Sequence, residues 1–184
     1  MSGNLLARSV HDLSAAAWFG GSLMGAIGLN GAASKAANPT ERTLLASYGW
    51  KKWAPVQAAA FGAHLASLGP ILVENKARYA GQEGVMKWSW IKAGVTVTGA
   101  ALTLYSGLLG RKVGQLGEEG AEGATEPGPS SSPELAKAQN QLKFLQWIIP
   151  VFAGTVVVLG ALHGEMQRPK NVKLGILHRL HLGN

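Results

Sequence analysis

The chain has 184 residues, no cysteine and a formal net charge of +7. This length suits one domain or one small helical bundle, and the absence of cysteine excludes disulfides, thiolate catalysis and cysteine-ligated metal or iron–sulfur sites. A charge of this sign would suggest nucleic acid for a soluble protein. Here the basic residues flank apolar runs, where they meet anionic lipid head groups. We therefore expect membrane lipids as partners and no nucleic acid.

Four stretches contain no Asp, Glu, Lys or Arg: 13–34, 53–73, 93–110 and 144–164. Each has about the 20 residues that a helix needs to cross roughly 30 Å of hydrocarbon. The sequence predicts one all-α integral membrane domain over 1–184, a bundle of four transmembrane helices with spans at about 10–34, 53–76, 90–111 and 142–166. The N and C termini then lie on the same side, called side A, and the opposite side is side B.

The first run can be read as a signal peptide or as a membrane span. We interpret it as a retained span, because the segment is part of this molecule. Ala17, Gly21 and Gly25 recur there at four-residue spacing, and such small-residue faces let helix backbones approach closely in lipid. The pattern leaves open whether they pack within the bundle or against a second copy.

The segments between the spans carry clear local signals. In the first loop, Asn38 is a helix N-cap and Pro39 suits the first helical position. The stretch 113–133 is rich in Gly, Glu, Pro and Ser, which predicts a flexible acidic linker. Ser132 and Pro133 then begin a helix that leads into the fourth span. The tail at 170–182 predicts a short basic amphipathic helix on the membrane surface.

Ionisable side chains in membrane spans are costly, so each needs an explanation. The topology brings six of them to side A, a set called the polar layer: His11, Asp12, Glu74, Lys92, His163 and Glu165. His64 lies apart inside the second span, about 13 Å deeper by the 1.5 Å rise per residue. A buried, hydrogen-bonded histidine is the simpler explanation for His64.

Three interpretations of the polar layer stay open. Its members can pair at the interface, Asp12 or Glu165 with Lys92, and fix helix register. They can form a haem site with His11 and His163 as axial ligands, because imidazole is a usual haem ligand and bundle cores are usual haem sites. They can also support proton or quinone chemistry through a histidine–carboxylate pair. The motifs identify no catalytic residue and no metal site.

The first span carries the pattern H-x6-W-x-G-G at His11, Trp18, Gly20 and Gly21. It resembles the first helix of small four-helix bacterial membrane families, the copper-resistance CopD-type domains and the HemJ-type protoporphyrinogen oxidases. A W-x3-K spacing that ends at Lys92 also resembles the HemJ-type proteins. That resemblance implies a haem site with His11 and Lys92 as the functional pair. The third span departs from that family because it has no further histidine.

The stretches HDLSAAAWFGGSLMG and WKKWAPVQ are similar to uncharacterised membrane proteins of actinobacteria, which implies a multi-pass protein of the bacterial plasma membrane. The abundance of Gly, Ala, Trp and basic anchors favours a non-catalytic accessory or assembly subunit of a larger membrane complex, or a homo-oligomer. One alternative is a haem-binding protein such as a HemJ-like oxidase, with His11 and either Lys92 or His163. The other is a transporter of a small solute or metal, suggested by Pro70, Pro150 and His64.

Overall fold

The computed structural model describes the backbone of residues 4–182 and the side chains of residues 4–178. These residues form helices, turns and loops without a strand, which confirms the all-α class. The helices are α1 (Leu5–Met24), α2 (Asn30–Ala33), α3 (Pro39–Gly81), α4 (Val85–Gln115), α5 (Pro133–Glu165) and α6 (Pro169–Leu182). A π-helical turn, Gly25–Leu29, joins α1 to α2, and a 3-10 turn, Gly117–Glu119, follows α4.

Three of these helices, α3, α4 and α5, are long and apolar enough to cross a membrane. They contain the second, third and fourth predicted spans. The first predicted span is divided among α1, the π-helical turn and α2, and α1 taken alone does not reach the same apolarity. Its sequence includes Arg8 and Asp12, and the α-helix ends at Met24 before the apolar run is complete.

Helix α3 is longer than the sequence suggests, because the predicted loop helix and the second span are one continuous helix. Its start is as predicted: the Asn38 side chain accepts a hydrogen bond from the Thr40 amide at 2.9 Å, and Pro39 follows. Pro55 and Pro70 both lie inside α3 on its exposed surface. Each proline lacks the N–H that would bond to the carbonyl one turn earlier, and the hydrogen bonds of the neighbouring turns keep the helix continuous.

The apolar core lies where α1, α3, α4 and α5 meet. Trp18 is 3% exposed, its ring centroid is 4.9 Å from that of Phe61, and its indole N–H donates to Thr103 Oγ1 at 3.1 Å. From α5, Ile149 and Ala153 belong to the same buried apolar cluster as Trp18. This arrangement holds α1 between α3 and α5, with His11 and Ser14 buried in the bundle near side A.

The segment 113–133 differs from the flexible linker that its composition predicts. Ala121 and Ala124 are buried, and the Ala121 amide donates to the Pro39 carbonyl at 3.2 Å. The fully buried Gln139 donates from its side chain to the carbonyls of Gly123 and Ala124 at 2.9 and 3.3 Å. Small residues let this backbone pack closely over the side-B ends of α2, α3 and α5, so it forms a cap.

Candidate functional site

The polar side chains at side A occupy two depths. At the outer depth, the Asn4 amide and the Arg8 guanidinium donate to the Glu74 carboxylate at 3.3 Å. At the inner depth, about two turns after Asn4 along α1, His11 meets residues of α3 and α4. Because α1 and α3 run antiparallel, His11, seven residues after Asn4, faces Ser67, seven residues before Glu74.

His11 is the centre of the inner depth, and it is 6% exposed. The Ser67 hydroxyl donates to the His64 carbonyl at 2.7 Å, so His11 Nδ1 is the donor in its 3.1 Å contact with Ser67 Oγ. His11 Nε2 is then the acceptor for the Lys92 ammonium at 3.0 Å. This assignment gives a neutral imidazole that links α1 to both α3 and α4.

His64 lies against His11 rather than about 13 Å deeper. The two rings stack with centroids 3.8 Å apart and planes 22° apart, and His64 Nδ1 donates to the His11 carbonyl at 3.1 Å. The difference arises because α1 begins at Leu5, so that His11 is buried two turns into the bundle and not at its mouth. The described residues give His64 Nε2 no hydrogen-bond partner.

Lys92 has one acceptor among the described residues, the His11 ring. A Cβ built on Gly160 would lie 3.5 Å from Lys92 Nζ and 3.7 Å from Asp12 Oδ1, so both side chains approach the α5 backbone where a side chain is missing. They do not form an ion pair within 4.0 Å. The other predicted partner, Glu165, pairs instead with Arg168 at 2.9 Å.

His163, the second predicted axial ligand, lies in a separate set of contacts. Its Nδ1 donates to the Leu159 carbonyl at 2.7 Å, one turn earlier in α5. Its Nε2 is 3.1 Å from the Ser89 hydroxyl on α4. His163 therefore links α4 to α5, whereas His11 links α1 to α3 and α4.

Sequence reasoning missed the two serines that complete these contacts. Ser67 follows His64 by three residues and Ser89 precedes Lys92 by three, which places each on the face of its helix that carries the ionisable residue. Hydroxyls are common in membrane helices, where they often bond to the carbonyl one turn back. Ser67 and Ser89 both form such local bonds, so composition alone does not distinguish them.

The arrangement does not fit a haem held by His11 and His163. Both ring nitrogens of each histidine already have hydrogen-bond partners, and Lys92 occupies the His11 nitrogen that would bind iron. Among these three imidazoles, only His64 Nε2 has a lone pair without a partner in the described residues. In that part of the chain, no group of three or more His, Cys, Asp or Glu side chains could hold a metal ion.

Comparison of the chain with protein-family models, curated proteins and solved structures finds no match. The motif H-x6-W-x-G-G therefore has to be explained from contacts. Trp18 fills the core, and Gly21 gives room to the Trp53 ring, whose Cζ2 would lie 2.1 Å from an added Cβ. Gly20 has open space. Two of the motif's residues thus serve packing, and His11 supplies the polar link.

Proposed function

We propose that this protein is a non-catalytic integral membrane subunit of the bacterial plasma membrane that docks a further transmembrane helix on α3. Four helices would cross the membrane, the fourth being α1 with its continuation to Ala33. Support for the fourth span comes from packing, because α1 lies between two of the long apolar helices. Both termini would then lie on side A. The partner is either a different membrane protein or a second copy of this chain.

The observation that carries the proposal is an exposed face of small residues on α3. Ala58, Gly62, Ala66 and Gly69 follow one another at three- or four-residue spacing, and all four are exposed. A Cβ added at Gly62 or Gly69 meets nothing within 4 Å. In lipid, such a face favours close approach of another helix, since small side chains let the backbones come together.

Other glycines of the chain pack inside the bundle. The sequence left open whether small residues pack within the bundle or against a second copy, and the space around each glycine distinguishes the two. A Cβ at Gly25 would lie 2.1 Å from the Trp50 ring, and one at Gly99 would lie 2.6 Å from the Trp18 ring. Gly25 in the π-helical turn and Gly99 in α4 therefore pack internally, as Gly21 of α1 does against Trp53. Gly62 and Gly69 of α3 have no internal neighbour within 4 Å of an added Cβ, and a helix from outside would give them one.

The His11–Lys92 network has a structural role in this proposal. Its hydrogen bonds join α1, α3 and α4, so they fix the register of three helices while the outer face of α3 stays open. Solute transport receives less support. A groove of about 750 Å³ lies between α4 and α5 beside Tyr105 and Phe144, and its lining does not include His64, Pro70 or Pro150.

The absence of native cysteine allows a direct test. A single cysteine at Gly62 is oxidised in native membranes, and we expect a disulfide-linked species at the mass of a dimer if the partner is a second copy. Cysteine in place of Val97, which is 69% exposed on α4, serves as the control for random collision. Equal cross-linking at both positions would contradict a homo-oligomeric contact on α3.

A different partner is detected by co-purification in a gentle detergent. Leucine at both Gly62 and Gly69 should abolish recovery of the partner without unfolding the chain, because the space there is open. Gly94→Leu is the matched control, since Gly94 is equally open but lies on α4. If the wild type yields only a monomer in both experiments, the proposed function is wrong.

A further inference from the structure

Two guanidinium groups lie together at the side-A end of the bundle, outside the His11–Lys92 network. Arg8 comes from the first turn of α1 and Arg78 from the last turns of α3. Arg8 bonds to Gln167, and Arg78 bonds to Gln82, whose side chain donates to the adjacent Met166 carbonyl, so both guanidiniums lie at the turn after α5. Two neighbouring cations in a half-buried site need compensating negative charge, or the folded state carries an electrostatic cost.

Arg8 has most of that compensation. Its Nη2 donates to Glu74 Oε2 at 3.3 Å, and its Nη1 donates to the side-chain oxygen of Gln167. Its third donor, Nε, is buried and has no hydrogen-bond partner. Glu74 also accepts from the Asn4 amide, so one carboxylate serves donors from the start of α1 and from Arg8.

Arg78 has neutral partners. Its Nε donates to Gln82 Oε1 and its Nη1 to Asn75 Oδ1, both at 2.9 Å. Its Nη2 is buried without a partner, and no carboxylate of the described residues lies within 4.0 Å of it. The Gln82 and Asn75 side chains are 3% and 5% exposed, so the guanidinium rests on a fixed amide frame.

The site thus holds two cations, one carboxylate and two buried N–H groups that lack acceptors. We propose that Arg8 and Arg78 bind a phosphate-type oxyanion, carried by a phospholipid head group or present as free phosphate. A guanidinium offers a planar fork of donors that matches the oxygens of phosphate, and a buried donor without an acceptor is costly. One bound oxyanion supplies the missing negative charge beside the two guanidiniums.

The position of the site suits an anion at head-group depth. Gln82 donates to the Met166 carbonyl at 2.9 Å, which places Arg78 beside the turn between α5 and α6. Lys170 and Lys173 follow in α6, both exposed, and add to the positive field. The site lies beyond the apolar parts of α3 and α5. This inference does not depend on a partner for α3.

The test measures thermal unfolding of the purified full chain in detergent micelles. Three arms add phosphatidylglycerol, phosphatidylcholine at the same mole fraction, or inorganic phosphate at constant ionic strength. At about a hundredfold excess over Kd, a bound ligand should raise the unfolding midpoint by roughly 5 °C or more. A rise with phosphatidylglycerol alone identifies the head group as the source, and a rise with inorganic phosphate identifies the free anion.

Variants decide whether the rise belongs to this site. Arg78→Gln should lose the rise in the unfolding midpoint. Arg78→Lys keeps the charge but not the planar fork of donors, and should lose most of the rise. It replaces Arg78→Gln in the test if that variant does not fold. Lys76→Gln removes an exposed charge two residues from Arg78 and should still show the full rise in the unfolding midpoint. A rise that persists in both Arg78 variants overturns the proposal, and so does the absence of any rise in the folded wild type.

Discussion

Gly99→Ala tests the packing on which the bundle depends. An added Cβ would lie 2.6 Å from Trp18 Cη2 and 2.9 Å from Phe152 Cβ, both well inside van der Waals contact. Neither neighbour can move freely. The Phe152 Cβ is fixed to the α5 backbone, and the Trp18 indole is held by its hydrogen bond to Thr103 and by the Phe61 ring. The added methyl group must therefore separate α4 from α1 and α5.

The expected cost follows from two opposing contributions. Inserting one carbon into a packed core destabilises a protein by about 1–3 kcal/mol. Replacing glycine by alanine inside a helix returns up to about 1 kcal/mol of helix propensity. The second contribution is also present in Gly94→Ala, on the same helix, where the Cβ would meet nothing within 4 Å. The difference between the two variants isolates the clash, and we expect Gly99→Ala to be the less stable by about 1–3 kcal/mol.

Both variants are unfolded in mixed micelles with increasing denaturing detergent, and the six tryptophans report the transition by fluorescence. Gly94→Ala should unfold at the same concentration of denaturing detergent as the wild type or slightly above it. Gly99→Ala should unfold at a lower concentration. Equal stability of the two variants would refute the close packing of α4 against Trp18. It would also mean that the interior glycines and the open ones on α3 do not differ in packing.

Two further predictions concern the polar network. Ser67→Ala removes the acceptor of His11 Nδ1 and the donor to the His64 carbonyl, and should cost about 1–3 kcal/mol in the same unfolding assay. Ser34→Ala, which loses only a local bond to the Gly31 carbonyl, is the control, and an equal loss would contradict the network. For haem, we expect no Soret band that depends on His11. A band in the purified wild type that disappears in His11→Ala and survives in His64→Ala would contradict the hydrogen bonding described for His11.

Charge-free runs were sufficient to predict three of the long helices. The second, third and fourth spans correspond to parts of α3, α4 and α5, because an apolar run of about 20 residues has few other stable forms. Helix length was harder to predict. The sequence predicted a helix start at Asn38 and Pro39, but it could not show that this helix continues past Pro55 into the second span, because proline usually ends or kinks a helix. The order of the 113–133 segment depends on buried Gln139, a contact that composition does not reveal.

For the candidate site, depth along the helices could be estimated but contacts could not. His11 and Lys92 were placed at one level, and the structure brings them to 3.0 Å. His64 was placed too deep because the estimate took His11 as the mouth of the first span. Much of the error comes from the nearly two turns of α1 that precede His11, because a sequence pattern cannot divide them between the membrane and its surface. Arg8 and Arg78 were treated as flanking charges, since their buried N–H groups depend on the tertiary contacts.

The two depths of polar residues differ in what they still require. At the inner depth, His11, Ser67 and Lys92 bond to one another across three helices, His64 leaves one ring nitrogen without a partner among the described residues, and Lys92 lies near Asp12 beside Gly160. Such a network fixes helix register without a ligand. At the outer depth, Glu74 forms an ion pair with only one of the two guanidiniums. The described residues therefore leave one positive charge without a counter-charge and two buried donors without an acceptor. The inner depth therefore supports a structural role, and a ligand is expected where the charges do not balance.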